Sequence, residues 1–250
     1  MKKITGHLFL FLMLFFSASV YSQSENNILF SLKRHTYVEG DKSISIGLRN
    51  GENEPYLVQT GVAELDISSG TNQLTENSKN IPFIVIPPLY KIMPDSYYDW
   101  RVIFSSENDF LPKDRESVYL AKFLFIPSSQ KNESDKTKMS VMRSFVFKIY
   151  YRPKNIESLK INDIQDRISF HRRGNTLLVK NDSPIFVTFD SLRINSKDID
   201  SRELFKPVPP LSEQMFDVPQ GIPENNQIEW NLLDEYAFPL DKNISKATSL

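Results

Sequence analysis

Apolar and polar positions alternate over short stretches of this chain, and polar turn formers break the alternation every few residues. Ser43-Ile44-Ser45-Ile46-Gly47-Leu48 is the clearest case, with its aliphatic residues on one face as in a half-buried strand. The same reading predicts strands over 55–62, 83–86, 100–104, 118–126 and 145–151. Turn clusters separate them at Arg49-Asn50-Gly51, over 66–72, and at Met93-Pro94-Asp95-Ser96. No stretch carries a convincing helical stripe. A second set of strands is predicted over 176–179, 185–189, 192–194 and 227–233, with Asn181-Asp182-Ser183-Pro184 as a turn. Between the sets the pattern changes: Arg152-Pro153 ends a strand, and residues 154–166 are polar with scattered isoleucines. Many short strands with polar turns predict an all-β protein built of sandwiches. The change of pattern places a boundary between a domain over 23–153 and a domain over 154–250. Gln130 to Lys138 is predicted to be a solvated loop.

The N-terminus changes the picture of where the chain works. Lys2 and Lys3 precede an unbroken apolar run from Leu8 to Phe16, and Val20-Tyr21-Ser22 offers a cleavage site before Gln23. Residues 1–22 therefore form a predicted secretory signal. A membrane anchor is the alternative, but the run is short for a bilayer span and lacks a basic flank. The expected mature chain is exported, with no membrane insertion.

Composition then excludes several classes. A net charge of −1 gives no bulk attraction to nucleic acid. The chain has no cysteine, so it has no disulfides, no zinc–thiolate site and no thiol nucleophile. Its cores must suffice, and 40% hydrophobic with 12% aromatic residues is enough for them. The histidines are His7, His35 and His171, without a ligand-like acidic spacing. Glycine-rich phosphate loops, nucleophile elbows and paired-carboxylate motifs are missing. No enzyme activity and no cofactor are expected.

The residues that stand out lie on one predicted strand. Lys148 sits among bulky strand formers in Ser144-Phe145-Val146-Phe147-Lys148-Ile149-Tyr150. A buried ammonium is costly without a partner, so Lys148 faces either water or an anion. Met139, Val141, Phe145 and Phe147 fall at period two and share a face, which Arg143 interrupts. That stripe is either ordinary core or, at a sheet edge, a surface another chain can pair with.

Four blocks give these residues a context. They are Arg34-His35-Thr36-Tyr37 with Glu39 to Ser43; Pro82 to Leu89; Leu111-Pro112-Lys113-Asp114-Arg115-Glu116-Ser117, continuing to Ser128; and Phe147-Lys148-Ile149-Tyr150-Tyr151-Arg152-Pro153. In this order they resemble PapD-like periplasmic pilus (fimbrial) assembly chaperones, and the short loop before Met139 is similar to the short-loop branch. Gly174 to Leu177, Asn181 to Pro184 and Leu233-Asp234-Glu235-Tyr236 are similar to second-domain features. The resemblance implies two immunoglobulin-like β-sandwich domains set at an angle, as an L or boomerang. It implies a periplasmic chaperone that binds, folds and caps fimbrial subunits and delivers them to an outer-membrane usher. Arg34 and Lys148 would anchor the subunit's C-terminal carboxylate, and Met139, Val141, Phe145 and Phe147 would form a donated strand. On that reading, Arg143→Leu would fill the gap in the stripe. Glu116, Arg152 and Glu235 would form an interdomain charge network, with Asp234 as the alternative register for the last. The chain departs from the family pattern at Leu120-Ala121-Lys122, at Gly61 and at Asp95. A secreted structural or adhesive protein, such as a pilus subunit, is the alternative; it would more naturally show a single sandwich and a cysteine pair.

Overall fold

The computed structural model describes residues 27–31, 33–72, 81–105, 110–127, 141–223 and 227–249. The predicted signal, Met139 and the loop from Gln130 to Lys138 lie outside the described residues. In the N-terminal lobe the strands are β1 (Ile28–Phe30), β2 (His35–Val38), β3 (Ile44–Asn50), β4 (Tyr56–Asp66), β5 (Thr71–Asn72), β6 (Phe83–Ile86), β7 (Leu89–Ile92), β8 (Tyr97–Phe104), β9 (Ser117–Pro127) and β10 (Arg143–Arg152). The C-terminal lobe carries β11 (Ile168–Arg173), β12 (Thr176–Asn181), β13 (Phe189–Ile194), β14 (Lys197–Asp198), β15 (Ser212–Asp217), β16 (Gln227–Leu232), β17 (Asn243–Lys246) and β18 (Thr248–Ser249). Each lobe is an immunoglobulin-like sandwich of two sheets. The orders are β1-β3-β8-β6 against β2-β10-β9-β4-β5, with β7 also on β4, and β15-β12-β11-β18 against β14-β13-β16-β17.

Alternation builds both cores. In β3 the inward Ile46 and Leu48 are fully buried; Trp100 stands beside Ile46 on the neighbouring β8, and Phe123 and Phe125 join the same core from β9 of the other sheet. Trp230, Phe170, Phe189 and Phe216 do the same in the second lobe. A buried aromatic contributes area no smaller residue matches, which is how these lobes hold without cross-links. The polar stretch after Pro153 forms 3₁₀ turns at Lys154–Ile156 and Ile161–Arg167, and its Ile161 and Ile164 are fully buried in the second core.

The predicted strand over 185–189 is not one. Only Val187 bridges, to Val208, and the strand starts at Phe189. The Asn181 side chain explains this: its amide donates to the Ile185 carbonyl at 2.9 Å and its oxygen accepts from the Ser183 amide at 3.0 Å, so the segment spends its backbone on a turn. Asp95, where the family favours glycine, adopts φ 53, a left-handed conformation that aspartate tolerates. Among the described residues no helix is long and apolar enough to cross a membrane.

One topological detail positions the site. β2 pairs with β10 in parallel, with Ile149 beside His35 and Arg152 beside Val38. One step back along that register, Lys148 stands beside Arg34. On the side away from β9, the described residues cover β10 only from Ile149 onward; Arg143 to Lys148 form an open edge.

Candidate functional site

Lys148 projects from β10 on the face opposite Phe147 and Ile149 into a cleft between the lobes. The cleft has a volume of about 620 Å³ and is lined by Arg34, Val146, Lys148, Tyr150, Phe205 and Leu233 among others. The Lys148 ammonium donates to the Phe205 carbonyl of the second lobe at 2.7 Å. Burial, and then the Arg34 charge, lower its pKa from 10.5 to about 8.

Arg34 is held differently. Its guanidinium lies 3.6 Å over the Tyr150 ring and pairs with Glu116, and its side chain is 7% exposed. Its backbone amide donates to the Glu235 carbonyl at 2.9 Å. Arg34 therefore belongs both to the cleft wall and to the joint between lobes. His35 beside it is buried, edge-on to Phe147, with its pKa lowered to about 4 by burial and then by Lys33. Near neutral pH it adds no charge to the cleft.

Glu116 is the centre of the joint. Its side chain is fully buried, and it accepts from Arg152 Nε at 2.8 Å, from the Phe186 amide at 2.8 Å, and from Arg34. Arg152 in turn donates to the Leu159 carbonyl at 2.6 Å. Glu235 does not join Arg152. Its carboxylate accepts from the Ile161 amide at 2.8 Å, and Asp234 caps the Tyr236 and Phe238 amides of its own turn. The charge network is thus Arg34–Glu116–Arg152, and Glu235 ties the joint through backbone. Arg34's membership was illegible in the sequence, because nothing local connects residues 34 and 116.

The apolar stripe divides. Phe145 and Phe147 are half-buried on the lobe's own core, with ring centroids 4.9 and 4.5 Å from Phe30. Val141 is 62% exposed. Arg143 is accounted for: its guanidinium donates to Glu52 at 2.7 Å and to the Tyr56 hydroxyl at 2.8 Å. Leucine at this position would add apolar area but leave Glu52 without its cation. The C-lobe residues Thr188, Phe205 and Leu233 were given no site role by the sequence, although Thr188 and Leu233 fall in predicted strands, since only docking of the lobes brings them to the cleft. Among the described residues no cluster of three or more histidine, aspartate or glutamate side chains could hold a metal.

The lowered pKa has a consequence for any anion in this cleft. The charged and titratable groups around Lys148 are Arg34, Lys33, His35, Asp234 and Tyr150, the last held neutral because burial raises its pKa. An anion needs the ammonium form, so binding should weaken about tenfold between pH 7 and pH 9 as Lys148 deprotonates through pH 8. The linkage to stability has the opposite sign. The unfolded chain holds this proton up to pH 10.5, so the group's cost to folding is fully present below pH 8 and fades above it. Anion affinity and thermal melting measured across this range, with an NMR titration of Lys148 Nζ, check both; flat affinity would exclude Lys148 as the anion's partner.

An all-β, two-lobed molecule with a basic interlobe cleft and an open strand edge is suited to holding another polypeptide. Residues 30–157 match the family described as pili and flagellar-assembly chaperone, PapD N-terminal domain, and residues 163–237 match the pili assembly chaperone PapD C-terminal domain. The chain belongs to the PapD-like family of fimbrial assembly chaperones, which are not enzymes. It is 28% identical to the probable fimbrial chaperone LpfB of Escherichia coli O157:H7 over 237 residues, covering 93% of this chain and 94% of that protein. It is 25% identical to the chaperone protein FimC of E. coli K12 over 236 residues, covering 94% and 90%. The fold is similar to a chain of the Salmonella enterica SafA pilin–SafB chaperone complex, with a TM-score of 0.73, 20% identity, and coverage of 88% and 96%. It is also similar to the E. coli chaperone DraB, with a TM-score of 0.70, 21% identity, and coverage of 89% and 97%. Both lobes match chaperone domains, which leaves no place for the alternative of a structural subunit.

Proposed function

We propose that this chaperone works in the periplasm, where it captures fimbrial subunits by lending them a β-strand and gripping their C-terminal carboxylate, and then passes them to an outer-membrane usher. One observation carries the reading: Lys148 projects into the cleft at the point where the open edge of β10 begins. A subunit strand aligned along Arg143 to Lys148 would take its register from backbone hydrogen bonds, each adding about 1 kcal/mol net. Its carboxyl end would meet Lys148, with the Arg34 charge behind. Apolar side chains beyond the chaperone's own core would fill the subunit's groove, at about 1.5–3 kcal/mol each. Val141 and the outer part of Phe145 are the described residues placed for this, and Met139 belongs to the stripe by its sequence spacing alone; Phe147 secures the strand to its own lobe. The family membership and the pilin complex among the similar structures support the choice of a fimbrial subunit as the partner.

Purification from periplasm together with the secreted proteins encoded beside it tests the reading. The expected result is a stable one-to-one complex with a small β-rich protein; recovery of free chaperone with every such partner would count against it. The strand's two faces give a sharper test. Val141→Asp would place a charge in an apolar groove and should abolish the complex. Ser144→Lys lies on the exposed opposite face and should be much milder. Equal tolerance at both positions would end strand lending from this segment.

A further inference from the structure

Lys148 already has a partner in the free chain. Its acceptor, the Phe205 carbonyl, ends the 3₁₀ turn Glu203–Phe205, which moves with the second lobe because Leu204 packs on that lobe's core. The first lobe approaches the same oxygen from another side. Gly70, in the β4–β5 turn, has φ +71, and a Cβ there would stand 2.4 Å from Phe205 O. Nearby, Gln214 of β15 donates to the Ile67 carbonyl at 2.7 Å. Phe205 is 61% exposed, and the atoms that approach Gly70 are the Phe205 and Lys206 backbone, so the turn meets the first lobe there through backbone and not through a buried Phe205 side chain.

We propose that the Phe205 carbonyl is a latch on the anchor: it holds Lys148 in the free chaperone and yields to an anionic chain terminus, so that capture of a carboxylate separates the β4–β5 turn from the Glu203–Phe205 turn. This rests on the reading of Lys148 as the carboxylate anchor. The chemistry of the exchange sets its selectivity. A carboxylate makes a charge-assisted bond to the ammonium, roughly twice as strong as one from a neutral acceptor. An internal peptide carbonyl offers the same bond Phe205 already gives, and gains nothing by replacing it. The latch therefore distinguishes the end of a subunit chain from its middle. It also couples recognition at Lys148 to a change between the lobes, because the displaced oxygen belongs to the other lobe.

The chain has no cysteine, so spin labels at Ser68→Cys and Ser201→Cys, both exposed, report the separation of the two turns in the full-length protein. The probes are a synthetic peptide of alternating valine and threonine with a free C-terminal carboxylate, and the same peptide amidated. The carboxylate peptide should lengthen the label distance, and the amide should leave it unchanged. Gly70→Ala, which forces the turns apart, and Gln214→Ala, which removes the neighbouring contact, should each lengthen the distance without peptide. Each should bind the carboxylate peptide roughly three- to tenfold tighter, the weight of one released hydrogen bond. If Gly70→Ala fails to fold, Gln214→Ala alone decides the point. Carboxylate binding at unchanged distance, equal binding of the amide, or unchanged affinity in the folded variants overturns the latch. Lys148→Ala separates the two ideas: undiminished carboxylate binding in that variant, or no binding of either peptide by the parent, overturns the anchor itself.

Discussion

Glu116→Ala should cost about 3–5 kcal/mol of stability, the largest loss expected from a single charged position in this protein. The carboxylate is fully buried and satisfies Arg34, Arg152 and the Phe186 amide at once. Removing it leaves two guanidinium groups facing one another in the joint, with the Phe186 donor unpaired. Desolvated charges without a counter-ion are among the few ways one substitution takes a large share of a domain's stability. Glu116→Gln keeps the shape but loses the charge and should fall between the parent and alanine. Arg152→Ala should be milder than Glu116→Ala, because Glu116 keeps Arg34. Thermal melting and periplasmic yield are the readouts; a Glu116→Ala variant that melts with the parent would mean the joint is held by packing alone.

Lys148→Ala should do the reverse, leaving the fold intact and removing subunit capture. Truncating one side of a desolvated charge contact costs about 2–5 kcal/mol, a weakening of roughly 30- to several-thousand-fold. The free protein should melt no lower than the parent, and the lowered pKa gives the reason: burial penalises the ammonium in the folded state. A gain on the order of 1 kcal/mol is the most to expect after screening by solvent. Arg34→Ala should differ from it. Arg34 is paired with Glu116 and stacked on Tyr150, so its loss weakens the joint together with the cleft. The family resemblance makes these two cations equivalent members of an anchor; the structure leaves Lys148 part-buried at the cleft and builds Arg34 into the frame. A calorimetric comparison of the variants with a subunit-derived probe separates them. Full capture by Lys148→Ala would remove the anchor.

Much of this was visible in the chain because the relevant physics is local. Period-two alternation, proline punctuation and polar turns mark β3, β6, β9 and β10 within a few residues of their ends, since each strand must show one face to a core. The stretch 185–189 misled for an equally physical reason. Its composition suits a strand, but Asn181 takes the backbone acceptor that a strand would need. β15 went unseen because only Gln214 and Phe216 point inward on so short an element.

The sequence by itself determined the all-β class, the absence of cysteine chemistry, and the two blocks around Glu116 and Lys148 that carry the family. Each depends on residue type and near neighbours, which one sequence displays. The tertiary structure decided which charges meet. Arg34 and Glu116 are 82 positions apart, and Lys148 and Phe205 are 57 apart. Their contacts exist only because β2 crosses to run beside β10 and because the second lobe docks on the first. Long-range pairing of this kind leaves no periodic trace. A buried charge takes whichever counter-charge or carbonyl the packed backbone brings within reach, and that is why Glu116 holds Arg34 while Glu235 holds an amide.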